Sequence, residues 1–192
     1  MSDYPRQILE LAEKTGAVMY GDFTLSSGLK SDHYWDGKKV TLSATGAYLV
    51  GQAILERLTS LNIDAVGGPE MGAIPIATAV TLASHLGGQN IPAFIVRKNP
   101  KDHGTRRLVE GYLKENDRVV IVEDVITTAE SVIKAVTVVE NLGCKVVKII
   151  ALVDRRQGGG EKLRSAGYDF ESILDFQNHD GRAVLTVSQL NT

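Results

Sequence analysis

The chain has 192 residues, one domain's length against a usual span of roughly 100–200 residues per domain. Its composition, 43% hydrophobic and 23% charged with 5 Pro, can bury a single sizeable core and excludes disorder and collagen-like repeats. Lys plus Arg total 21 against 23 Asp plus Glu, so the net charge of -2 gives no bulk attraction for nucleic acid or acidic membranes, and any polyanion site must be local.

In chain order, residues 5–15 place Ile8, Leu9, Leu11 and Ala12 among polar neighbours, with Pro5 suited to a first turn and Gly16 to a stop, which predicts a short helix. The aromatic stretch 23–40, with its Ser-Ser-Gly turn, predicts two short strands. Over 43–61, apolar residues recur at helical spacing behind a Ser43 cap. An apolar run at 63–67, a helical pattern at 73–86 and the run at 91–96 follow. A charged segment at 97–111 leads to RVVIVEDVI, then to a helix with Val132, Ala135, Val136, Val139 and Leu142 on one face, then to KVVKIIALVD. Strands alternate with helices, and the strand-like runs are continuously apolar, as strands covered on both faces must be. The predicted fold class is α/β, a mainly parallel sheet flanked by helices. Residues 168–192 lose this rhythm and are the candidate to fold back with the N-terminal segment as a cap.

No apolar run reaches membrane-spanning length, and the N-terminus lacks the basic-then-apolar order of a signal peptide, so neither a membrane span nor export is expected. The single Cys144 can form no internal disulfide or multi-cysteine metal site; it is expected as a buried structural thiol in a reducing, cytoplasmic setting. The four histidines show no metal spacing.

Four segments could carry chemistry. VVIVEDVITTAES, residues 119–131, ends an aliphatic strand in Glu123 and Asp124, followed by Thr127, Thr128 and Ser131 at a helix start. At the carboxyl end of a parallel sheet, the free amides, hydroxyls and helix dipole would receive a phosphate, and the acids would accept bonds from sugar hydroxyls. A charged strand end capped by Thr is the plainer alternative. RKNPKDHGTRR, residues 97–107, suits a polyanion, with Arg97, Lys98 and Lys101 neutralising a departing pyrophosphate; a solvated charged loop is the alternative. GGPEMGAIPIA, residues 67–77, fits neither GxGxxG nor a P-loop, yet its glycines would let backbone approach an anion. In VDRRQGGGEKL, residues 153–163, an Arg at the sheet edge could grip a carboxylate, or pair with the protein's own acids.

Together these segments resemble the type I phosphoribosyltransferase family, and most of all its orotate-using members, over most of the chain. VVIVEDVITTAES resembles that family's phosphoribosyl pyrophosphate (PRPP) motif, VRKNPKDHG its catalytic loop, FTLSSGLKSDHYWD its N-terminal segment, and VDRRQGGG the strand end that holds orotate. The resemblance implies a single domain over residues 1–192, with residues 1–40, and residues 168–192 as a further candidate, forming a base-binding cap. It implies transfer of the phosphoribosyl group to orotate in pyrimidine biosynthesis, giving orotidine 5'-monophosphate and pyrophosphate. Carried over residue by residue, Lys101, His103 and Asp124 would be catalytic. Arg97, Lys98, Lys101, His103, Glu123, Asp124, Val125, Ile126, Thr127, Thr128, Ala129, Glu130 and Ser131 would bind PRPP, and Thr127, Arg155 and Lys30 would bind orotate, with the segment around Tyr34 lining the base pocket. Mg²⁺ would be held mainly through PRPP and pyrophosphate, without a protein metal site. A homodimer sharing the catalytic loop between subunits is implied, with no nucleic-acid or membrane partner. The alternatives are a phosphoribosyltransferase for another purine or pyrimidine base and a non-catalytic PRPP-sensing regulator. The chain departs from many relatives at Ala129 and Glu130, where glycines are common, at Gly72, where some have Lys, and at Ser26, another Lys position. A Cβ at Ala129 is tolerable if the backbone is already helical there, and Glu130 is expected to point away from the phosphate.

Overall fold

Helix α1 (Tyr4–Thr15) has Pro in its first turn and stops at Gly16, whose φ of 65° is left-handed, a conformation glycine adopts without a Cβ penalty. The computed structural model describes residues 2–24, 30–99 and 108–189. Strands β1 (Val18–Thr24) and β2 (Lys30–Trp35) pair antiparallel as a hairpin. The predicted second strand ends at Trp35, because the chain turns at Asp36–Gly37 into a short helix α2 (Lys38–Thr41). Helix α3 (Ala44–Leu58) begins at Ser43, whose hydroxyl accepts the Gly46 N–H at 3.0 Å, a cap worth about 1 kcal/mol.

The main sheet then alternates with helices: β3 (Ala65–Pro69), α4 (Ala73–Leu86), β4 (Ala93–Val96), β5 (Val109–Gly111), β6 (Arg118–Ile126), α5 (Glu130–Asn141), β7 (Lys145–Asp154), α6 (Gly159–Ser165), β8 (Phe170–His179) and β9 (Arg182–Val187). Its order is β5-β4-β3-β6-β7-β8-β9. The inner strands run parallel, and β5 and β9 are antiparallel edges. Residues 170–187 thus add two strands to the main sheet, and the outer one supports the hairpin: the Ala183 N–H donates to Asp32 and the Leu185 N–H to the Tyr20 hydroxyl.

The continuous apolar runs follow from burial on both faces. Val120, Val122, Ile150 and Leu152 pack with α1, α3 and α4 through Ile8, Val50, Ile54 and Ile76. The alternate residues Val119, Ile121, Ile149 and Ala151 pack on the opposite face with Val132, Val136 and Leu163 of α5 and α6. Successive strand residues point to opposite faces, so both positions must be apolar, and each large aliphatic side chain buried contributes about 1.5–3 kcal/mol. After β3 the chain builds the sheet outward through β4, and from β6 it builds the other way through β7 and β8. The carboxyl ends of β3 and β6 therefore flank a crevice where strand order reverses, the place such sheets bind ligands.

Candidate active site

Glu123 and Asp124 are consecutive on β6, yet both carboxyls work at one end of it. The Glu123 side chain curls back so that Oε1 accepts the Asp124 N–H at 3.0 Å, while Oε2 accepts the Ser131 hydroxyl of α5 at 3.2 Å. Both residues are buried. Burial first, then the negative charge of Asp124, pushes Glu123 up from 4.5 to about 8. Near neutral pH it carries a proton and can donate as well as accept.

The glycine-rich turn after β3 closes on this pair. A Cβ on Gly72 would lie 2.4 Å from both Glu123 Oε1 and Asp124 Oδ1, so only glycine lets the backbone come so near. From the other side, Lys38 of α2 puts Nζ 3.7 Å from Asp124 Oδ2. Lys38 was not among the residues expected at the site. The only signal for it in the sequence is a Gly-Lys-Lys directly after an aromatic strand, too common a pattern to single out.

Between β6 and α5, Thr127 is partly buried, Thr128, Glu130 and Ser131 are exposed, Val125 is partly buried and Ile126 is in the core. The condition under which a Cβ at position 129 is free of cost does not hold: the φ of 61° and ψ of 14° of Ala129 are left-handed, which costs an L-residue about 1–2 kcal/mol. Glu130 and Ser131 line a cleft of about 580 Å³ with Lys134 of α5, Glu70 of the glycine-rich turn, and Arg97 and Lys98. Glu130 therefore faces the same cleft as the cations. Arg97 pairs with Glu110 at 3.7 Å and bonds the Asn99 carbonyl, and the Lys98 backbone N–H donates to Glu70 at 2.8 Å. Lys101, His103 and Ser26 lie outside the described residues.

At the end of β7 the two arginines separate. Arg156, with a left-handed φ of 55°, turns to the fully buried Asp175 and forms a two-nitrogen ion pair with one carboxylate oxygen. Arg155 stays near the β6–α5 loop, its backbone N–H donating to the Ile126 carbonyl at 2.9 Å. Its Nε and Nη2 are buried and have no hydrogen-bond partner among the described residues, and burial lowers its pKa from the ordinary value. An electrostatic interaction with Tyr34 of β2 opposes that lowering. Lys30 is exposed at the start of β2, opposite Thr24. Among the described residues no cluster of three or more His, Cys, Asp or Glu is placed to hold a metal.

Comparison with known proteins agrees with this geometry. Residues 45–178 match the family model described as "Phosphoribosyl transferase domain". The chain is 40% identical over 174 residues to an orotate phosphoribosyltransferase of Methanosphaera stadtmanae, covering 91% of this chain and 95% of that one. A Mycobacterium tuberculosis orotate phosphoribosyltransferase solved with Fe(III) dicitrate superposes with a TM-score of 0.79 at 37% identity, over 90% of this chain and 96% of that one. The same organism's enzyme solved with PRPP gives 0.75 at 33% identity, over 90% and 96%. With that identity across nearly its whole length and a strand-end acid pair facing a helix start, the chain belongs to the phosphoribosyltransferase family and, within it, to the orotate phosphoribosyltransferases.

Proposed function

We propose that the protein transfers the phosphoribosyl group of PRPP to orotate, giving orotidine 5'-monophosphate and pyrophosphate in pyrimidine biosynthesis. The observation that carries the choice of base is Arg155: a buried guanidinium at the strand end, with Nε and Nη2 lacking partners among the described residues, calls for a carboxylate, and orotate brings one. Thr127 and, from the hairpin, Lys30 and Tyr34 complete the base side, which gives the N-terminal segment 1–40 its part as a cap. The relative from M. tuberculosis solved with PRPP supports the donor.

The donor's 5'-phosphate meets the amides and hydroxyls from Val125 to Ser131, through Ile126, Thr127, Thr128, Ala129 and Glu130, at the positive end of α5. Its ribose hydroxyls meet Glu123 and Asp124. A ring nitrogen of orotate gives up its proton to solvent or the departing pyrophosphate and forms the new bond to the anomeric carbon as the carbon–oxygen bond to pyrophosphate breaks, and that bond's electron pair leaves with pyrophosphate. Asp124 faces the positive charge that grows on the sugar, while Arg97 and Lys98, with Lys101 and His103, face the growing negative charge of the leaving group. The exposed Glu130 lines the same cleft as Arg97 and Lys98, where its charge would moderate theirs. Mg²⁺ would enter mainly with PRPP and pyrophosphate and would supply charge neutralisation on the diphosphate.

A homodimer sharing the catalytic loop is part of this reading. It is supported by α4, whose outward row Ile74, Leu82 and Leu86 is 41, 59 and 75% exposed, an apolar stripe suited to a second copy. A cytoplasmic setting accords with the free thiol of Cys144. The test is an acceptor panel of orotate, uracil, adenine and hypoxanthine, each offered with PRPP and Mg²⁺. PRPP should be consumed with orotate alone. Uracil, which lacks the carboxylate, serving as well as orotate would overturn the role given to Arg155, and turnover of a purine would overturn the reading.

A further inference from the structure

The Asp124 carboxylate is enclosed by backbone on two sides. Gly72 stands against Oδ1, where a Cβ would come within 2.4 Å; on the other side a Cβ on Gly37 would lie 3.5 Å from Oδ2 and 2.9 Å from Trp35 Nε1. That indole N–H is buried and has no partner among the described residues. One residue further on, Lys38 opens α2 and brings Nζ to 3.7 Å from Asp124 Oδ2, its side chain 49% exposed and that of Asp124 12% exposed. A cation thus reaches a nearly buried carboxylate from the solvent side. The next lysine does something else: Lys39 donates to the Gly16 carbonyl at 3.1 Å and ties α2 to the end of α1. Of two adjacent lysines, one anchors the element and the other faces the site. The glycine-rich turn supplies no cation here, since position 72, where some relatives have Lys, is Gly in this chain.

We propose that Lys38 is a positioning residue for the ribosyl donor: fixed by the Trp35–Gly37 turn, its ammonium orients the Asp124 carboxylate that receives the ribose hydroxyls. This rests on the phosphoribosyl-transfer reading and adds to it a residue from the N-terminal segment that acts on the donor rather than on the base. A long flexible ammonium can hold the carboxylate while PRPP enters, and a guanidinium at the same place can do so too.

The test compares wild type with Lys38→Met and Lys38→Arg as full-length proteins. Binding of PRPP with Mg²⁺ is measured by titration calorimetry, and KM for orotate at saturating PRPP by loss of orotate absorbance. Lys38→Met should weaken PRPP binding about ten-fold, leave KM for orotate within about two-fold, and melt with the wild type, while Lys38→Arg should recover to within about three-fold of wild-type PRPP affinity. Wild-type PRPP affinity in Lys38→Met, no recovery in Lys38→Arg, or equal weakening of both substrates would overturn the proposal. A wild type that binds PRPP without consuming orotate would overturn the transfer reading instead, and the PRPP affinities would still decide Lys38.

Discussion

A carboxyl pressed against a second carboxylate out of water resolves the conflict by keeping its proton. Glu123, raised from 4.5 to about 8, holds a proton in the fold that the unfolded chain releases. This favours the fold fully below 4.5, and the advantage is lost as pH rises through about 8. Glu123→Gln keeps an oxygen for the Asp124 N–H but cannot ionise. In calorimetry without PRPP it should melt progressively above wild type between 4.5 and about 8; a constant offset across that range would contradict the burial argument. Ala129 at φ 61° is a second residue under local strain, and Ala129→Gly should gain about 1 kcal/mol in urea unfolding. The sequence makes Ala129 look like the first residue of a helix, because a left-handed φ at a non-glycine leaves no compositional trace. The Arg-Arg doublet is equally silent about which member turns inward; the left-handed Arg156 decides it by reversing the chain toward Asp175. Arg155→Ala should therefore raise KM for orotate about 10–100-fold with PRPP affinity nearly unchanged. Arg156→Ala should instead lose roughly 1–3 kcal/mol of stability, because that side chain is partly exposed and solvent screens its charge.

Elements were legible where periodicity and length agree. The helical pattern at 73–86 coincides with α4 (Ala73–Leu86), and RVVIVEDVI with β6. The strand β5 was not legible: its three residues, Val109–Gly111, sit in a charged segment too short to carry a period. Nor was α6, which starts in a run of glycines that reads as a loop and is helical because Gly159 donates to the Thr127 carbonyl and Leu163 fills the core. The hairpin owes its position to the far end of the chain: the His33 ring stacks 4.1 Å from Phe176, and Asp32 accepts the Ala183 N–H, contacts spanning a sequence distance no local pattern encodes. At this scale α4 carries its own test. Leu82 and Leu86 in its row are more than half exposed, so Leu82→Glu should leave the melting temperature near wild type and shift the mass in light scattering from dimer to monomer. A wild type that is monomeric at all concentrations would contradict the shared-loop dimer.

Over the whole molecule, the acid pair, the phosphate-side loop and Arg155 come together because β6 and β7 are parallel neighbours and β3 and β6 flank the reversal of strand order. The acid pair and its helix were readable from one segment, whereas Lys38 and Gly72 join them only through tertiary contact, from an N-terminal turn and a loop after β3. The most direct measurement is loss of orotate absorbance together with pyrophosphate release, with orotate, PRPP and Mg²⁺ omitted in turn. Orotate should disappear only in the complete mixture, with pyrophosphate appearing in equal amount. Orotate unchanged while PRPP binds, or pyrophosphate released without orotate, would contradict phosphoribosyl transfer at this site.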